Sequence, residues 1–241
     1  MNPLLIKYEA SKLRRQFGLN SIEPIRLKSL ILKENILTVF KKLDDDFSGM
    51  AIKTVKEKFI LINSNHSIGR QHFTICHELY HLYIDEEFST HKCQTAAFDK
   101  ANKSEYHADI FASNFLLPED GIIEIIPTKE QKKDCINLST LIKIEQYYAC
   151  SRQALVNRLS FLGIISDNNR DILCNNVIKS ARLHGYPDNL YRPGNDEQVW
   201  GNYGSMAKQL FDGEKISEGH FASLMQNIGI DIFEKIDDNE S

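Results

Sequence analysis

No stretch of this 241-residue chain approaches the roughly 18 consecutive apolar residues that a membrane span requires. A spanning helix is therefore not expected. Neither is a secretory leader, because the N-terminal MNPLLIKYEASKLRRQ has only a short apolar core and a helix-like charge pattern. Basic excess is lacking as well. Lys and Arg total 29 against 33 Asp and Glu, a net charge of -4, so no global positive field gathers nucleic acid or anionic lipid. The cysteines cannot form a closed disulfide set. Cys76, Cys93, Cys135, Cys150 and Cys174 are odd in number and contain no CxxC pair, which fits reduced thiols in a cytoplasm. Internal repeats and low-complexity tracts are absent. What is there is 42% hydrophobic and 26% charged, ordinary globular composition with room for one large domain and a small appendage.

Apolar periodicity predicts a helix over 4–19, a second over 25–33 and a strand over 35–40. The polar break that follows, with Asp44, Asp45 and Asp46, reads as a solvated loop. Residues 49–63 are β-prone around Lys56-Glu57-Lys58 and predict two short strands. Ser67 is placed to cap a strong helix ending near Ile84, and another helix from Asn102 or Ser104 must stop before Pro118. Segment 138–163 reads as two helices joined at Ala149-Cys150-Ser151, with Ser151 capping the second and Gly163 ending it. Residues 184–196, rich in Gly, Pro, Asn and Asp, read as a linker. A helical hairpin at 197–211 and 217–228 should follow, with Ser217 as a cap. Helices, then strands, then helices make an α+β chain. The expected units are a core at 1–127, a helix-turn-helix-like segment at 128–183, and a linker with a small helical module at 184–241.

The chemistry is concentrated in His77-Glu78-Leu79-Tyr80-His81. Positions i and i+4 share a helix face, so both imidazoles can reach one ion. Glu78 is angled off that axis, toward a metal-bound water that it can deprotonate. Two surface histidines on an exposed helix are the bland alternative. They fit poorly beside Phe73, Ile75, Cys76, Leu79 and Leu82, since burying unpaired polar groups costs several kcal/mol. A catalytic zinc keeps three protein ligands and one open position. The candidates for the third are His91, Cys93, Glu105, His107 and Asp109. Glu105 is favoured because Asp109, one helical turn on, can then accept a hydrogen from a ligand histidine. Asn102 and Glu105 also read as a capping box, which would explain the glutamate without a metal. His107 points away from Glu105 on the same helix, so both cannot ligate.

HELYH, Glu105-Tyr-His-Ala-Asp-Ile-Phe-Ala112 and Phe115-Leu-Leu-Pro118 together resemble the ImmA/IrrE family of metallo-endopeptidases. Ser48-Gly49, Ile62-Asn63 and Arg70-Gln-His-Phe-Thr74 are similar too, and the resemblance covers about residues 8–165. It implies a zincin-like core holding one Zn2+ per chain on His77, His81 and Glu105, with Glu78 as general base. It further implies cleavage of a helix-turn-helix repressor of Cro/cI type, releasing mobile-element, stress or defence genes. That repressor is expected to be a separate protein. One departure is Tyr80, where members often carry glycine; it is expected to flank the metal face and narrow the cleft.

A different class of function is a non-proteolytic regulator with a structural metal, in which 138–163 binds DNA or a protein. A recognition helix from Ser151 would present Arg152, Gln153, Asn157 and Arg158. Apolar Ala154, Leu155, Leu159, Phe161 and Leu162 dominate it instead, and direct DNA binding is the less favoured reading. Finally, a substrate peptide is expected to add as a strand along an exposed edge within 48–63, with Ile52 and Thr54 on that edge.

Overall fold

The computed structural model describes residues 2–85 and 102–234. His91 and Cys93, two of the candidate ligands, lie outside the described residues. Helix α1 (Pro3–Gln16) starts on Asn2, whose side chain accepts from Leu4 N, with proline at the first helical position. Its inner face buries Ile6, Ala10 and Leu13. Helix α2 (Leu27–Lys33) leads through Asn35, at φ 52°, into strand β1 (Ile36–Lys41). Strands β2 (Gly49–Lys53) and β3 (Lys58–Asn63) follow, and the residues of β1 alternate between buried and partly exposed, as a half-buried sheet requires.

The sheet is mixed. Its order is β2-β3-β1-β4, where β4 (Val199–Trp200) comes from far along the chain. β1 and β3 run parallel, while β2 pairs antiparallel with β3 and β4 antiparallel with β1. Among the described residues β2 is thus an edge strand. Asn63 N donates to Ser48 O and Thr54 N donates to Glu57 O. By the alternation of an antiparallel ladder, even-numbered residues of β2 then turn their backbone toward β3. Gly49, Ala51 and Lys53 turn theirs outward. Two expectations change. Ile52 is on the edge strand, but its amide faces β3 rather than the open side. Thr54 is past the end of β2, where its hydroxyl accepts from Glu57 N at 2.9 Å and holds the turn into β3.

Helix α3 (Ile68–Tyr83) packs against β2 and β3 on one side and helix α4 (Lys103–Leu116) on the other. Phe73, Leu79, Phe111 and Phe115 meet Phe40, Ile60 and Ile62 in one continuous core. α1 lies along α4, and the buried Arg14 secures it by donating to three backbone carbonyls, of Asn20, Glu23 and Phe115. Helix α5 (Glu119–Ile125) then leads to α6 (Leu138–Tyr148) and α7 (Arg152–Phe161). The turn between α6 and α7 is where the sequence places it. Ala149 takes the left-handed conformation and the Ser151 hydroxyl accepts from Ala154 N. Within this pair Arg152 and Arg158 are each only 2% exposed. Arg152 is ion-paired with the fully buried Glu145, so neither arginine is presented to DNA.

Helices α8 (Asp167–Leu173) and α9 (Val177–Leu183) were not expected. Nor is 184–196 a free linker. Arg192 O accepts from Ile68 N, Gly194 O accepts from the Gln71 side chain, and Asp196 accepts from Ser64. Immediately after it, β4 joins the sheet beside β1. The strap so formed binds the start of α3 before the terminal hairpin of α10 (Tyr203–Asp212) and α11 (Glu218–Gln226), the latter capped by Ser217.

Candidate metal centre

α3 is mostly buried because it is sandwiched between the sheet and α4, and this carries its polar side chains inward with the apolar ones. His77 and Glu78 are fully buried and His81 is 1% exposed. Two of them meet Glu105, in the first turn of α4. His77 Nε2 is 3.2 Å from Glu105 Oε2, His81 Nε2 is 3.4 Å from Glu105 Oε1, and the two Nε2 atoms are 3.4 Å apart. Among the described residues, His77, His81 and Glu105 are the group of ligating side chains that could hold one ion. His107 and Asp109 are not in it.

The other imidazole nitrogens are held from behind. His77 Nδ1 is 2.9 Å from Asp109 Oδ1, as the sequence spacing suggested. His81 Nδ1 is 3.1 Å from Asp85 Oδ2, and Ser104 donates to the same oxygen at 2.7 Å. Asp85 and Ser104 escaped the sequence reading. The signal for Asp85 was its place four residues after His81. With each Nδ1–H donating to a carboxylate, both Nε2 atoms turn lone pairs toward Glu105. Lone pairs and a carboxylate facing one another at such distances repel unless a cation lies among them. Tetrahedral ligands about 2.0–2.1 Å from an ion stand about 3.3–3.4 Å apart, so the spacing here suits a metal. Asn102 also accepts from Glu105 N at 3.4 Å. The capping and ligand readings of this turn are therefore compatible, one using the backbone and the other the side chain.

Glu78 lies between this cluster and β2. A Cβ added at Gly49 would stand 3.2 Å from Glu78 Oε1 and 2.6 Å from Thr74 Cγ2, closer than packing allows. Glycine at this position is what lets the edge strand start against the glutamate. Arg70 donates to the Ser48 hydroxyl at 3.1 Å and fastens the strand to α3 one residue earlier. Tyr80 does not narrow the cleft as expected. It is 4% exposed, its ring 5.6 Å from Phe111 and edge-on to His81, and burial pushes its hydroxyl up to about 12. Cys76, next to His77, turns into the core, where burial raises its thiol above the usual range.

The family model of the IrrE N-terminal-like peptidase domain matches residues 33–160, more than half of the chain and the whole of this cluster. The chain is also similar to Metallopeptidase ImmA of Bacillus subtilis (strain 168). The two are 26% identical over 168 residues, which cover 66% of this chain and 95% of the relative. With its α+β core and buried His-Glu-His helix, this chain belongs to the IrrE N-terminal-like (ImmA/IrrE) peptidase family and is a metallopeptidase.

Proposed function

We propose that this metallopeptidase is a zinc-dependent endopeptidase of the cytoplasm that cleaves a separate helix-turn-helix repressor of Cro/cI type. His77, His81 and Glu105 would hold the ion and Glu78 would serve as general base. The observation that carries this reading is the convergence of two Nε2 atoms and one carboxylate at tetrahedral spacing, beside a buried glutamate. A nitrogen-and-oxygen donor set of this kind suits zinc. The repressor substrate rests on the motif resemblance. The cytoplasm is supported by the free thiols of Cys76, Cys135, Cys150 and Cys174, and no described helix is long and apolar enough to cross a membrane.

When bound, zinc supplies a Lewis acid that polarises the scissile carbonyl and brings a coordinated water's pKa to about 7. The side chains do the rest. Asp109 and Asp85 orient the imidazoles through Nδ1. Glu78 accepts a proton from the attacking water at its carboxylate and passes it to the departing amine nitrogen. Gly49 lies against Glu78, and the outward backbone groups of Gly49, Ala51 and Lys53 run on from it along the edge of β2. A peptide pairing there would be held extended, as attack on its carbonyl requires. Because strand addition needs an unfolded stretch, the cut should fall in a linker or a locally opened helix of the repressor.

The test is to incubate the zinc-loaded protein with helix-turn-helix repressors encoded beside its gene and to map products by mass spectrometry. A single defined cut, absent with Glu78→Gln, is expected. No cut in any of them, while an unstructured peptide is cleaved, would remove the repressor and keep the peptidase.

A further inference from the structure

Strand β2 presents two unlike faces. Gly49 and Ala51 turn toward α3, Gly49 against Thr74 and Glu78 and Ala51 only 1% exposed, and between them they offer a substrate no more than one methyl group. Met50 and Ile52 alternate with them, so they point to the opposite face of the sheet, where both are partly exposed. The ladder carries that face inward from the edge as two apolar rows. Met50 opposes Leu61, which opposes Val39, and Ile52 opposes Phe59, which opposes Leu37. All six side chains are partly exposed. Each row ends at β2 with an apolar side chain on the open edge.

Backbone parity decides how an incoming strand meets these rows. Met50 and Ile52 turn their own N–H and C=O toward β3, so against an added antiparallel strand they form the non-hydrogen-bonded pairs. In such pairs the Cα atoms approach to about 4.5 Å and the side chains come closest. Antiparallel pairing is also the more stable of the two directions. A strand so added runs against β2, and its residue opposite Gly49, nearest Glu78, comes after those opposite Met50 and Ile52. We infer, on the strand-addition reading of the site, that the peptidase selects substrates with apolar side chains at two alternate positions before the cut, and that Met50 and Ile52 choose them. The residue opposite Met50 directly precedes the one at the metal, and the residue opposite Ile52 lies two further back. The residue between them, opposite Ala51, meets one methyl group and is chosen weakly. The substrate class is thus an unfolded segment with the alternating apolar pattern of a β-strand.

The experiment digests a randomised peptide library with the zinc-loaded full chain and reads residue frequencies around each cut by mass spectrometry. Leu, Ile, Val and Phe should exceed Ala by roughly 2- to 5-fold at two alternate positions among the few residues before the cut, with little preference at the position between. Ile52→Lys should replace the apolar preference by Asp and Glu at the farther position alone, and Met50→Lys at the nearer alone. General destabilisation would not produce a change confined to one position. The inference is overturned if wild-type cuts show no apolar alternation, if the alternation follows the cut instead of preceding it, or if both folded variants keep the wild-type profile. The wild-type profile decides the matter if neither variant folds. Cleavage without the alternation leaves the peptidase reading standing, whereas a library left intact removes the endopeptidase and this inference together.

Discussion

Proline placed at Ala51 and, separately, at Ile52 would probe the edge of β2 with opposite consequences. Ala51 turns its backbone outward, so Ala51→Pro removes one N–H from the open edge and none from the sheet. Prolines are tolerated in edge strands when the lost N–H faces away from the ladder. A substrate carbonyl left without that donor costs about 1–3 kcal/mol, a loss of roughly 5- to 150-fold in kcat/KM, with zinc content and Tm near wild type. Ile52 donates inward to β3, so Ile52→Pro breaks a ladder bond. The same 1–3 kcal/mol then falls on folding, which at about 2–4 °C per kcal/mol lowers Tm by roughly 2–12 °C. Turnover of an unstructured fluorogenic peptide, metal analysis and differential scanning calorimetry separate the two variants. Strand addition at β2 is refuted if Ala51→Pro, folded and metal-loaded, cleaves at the wild-type rate.

Four further outcomes are expected. Glu78→Gln should keep zinc and lose about 10²- to 10⁴-fold in kcat, because the amide fills the same space and cannot accept a proton; metal analysis beside steady-state kinetics checks this. Glu105→Ala should strip the metal under mild chelation whereas His107→Ala should not. Asp85→Asn and Asp109→Asn should each weaken zinc affinity or activity by about 10- to 100-fold, as competition with a fluorescent chelator would report. Arg152→Met should strand Glu145 as a buried, uncompensated charge, at a cost of about 3–5 kcal/mol and a Tm lower by roughly 6–20 °C. Adding Glu145→Leu should recover most of that loss, and a double variant as unstable as the single would disprove the pairing argument.

The active-site helix, its two histidines and the acidic helix after it were legible because each depends on local periodicity and i, i+4 spacing. Both flanking strands and the α6–α7 turn were readable for the same reason. What escaped depends on partners distant in sequence. Arg152 and Arg158 look solvent-facing in a row of helical residues, and only Glu145 and the Leu117 carbonyl draw them inward. Tyr80 is adjacent to a ligand, yet Phe111 from α4 decides where its ring lies. Gly, Pro and Asn over 184–196 signal irregular backbone correctly, but composition cannot say whether such backbone is free or bonded. Here Gln71, Ser64 and Ile68 bond it. The parity of Ile52 is set by which residues of β3 it opposes, and an edge has no such parity until its register is known.

The strap has a bearing on how the chain is made. β1 ends at Lys41, and the strand that covers its outer edge starts at Val199, so roughly 160 residues separate the two partners. At about 5–20 residues per second of synthesis, that edge waits roughly 8–30 s for its mate after leaving the ribosome. An uncovered strand edge is a template for pairing with another nascent chain. Phe40, whose ring packs at a tilt against Trp200 in the finished protein with centroids 4.6 Å apart, stays uncovered by it for as long. Growth temperature and holdase chaperones should therefore govern how much of this peptidase is recovered folded, through a two-residue strand synthesised roughly 160 residues after the one it covers.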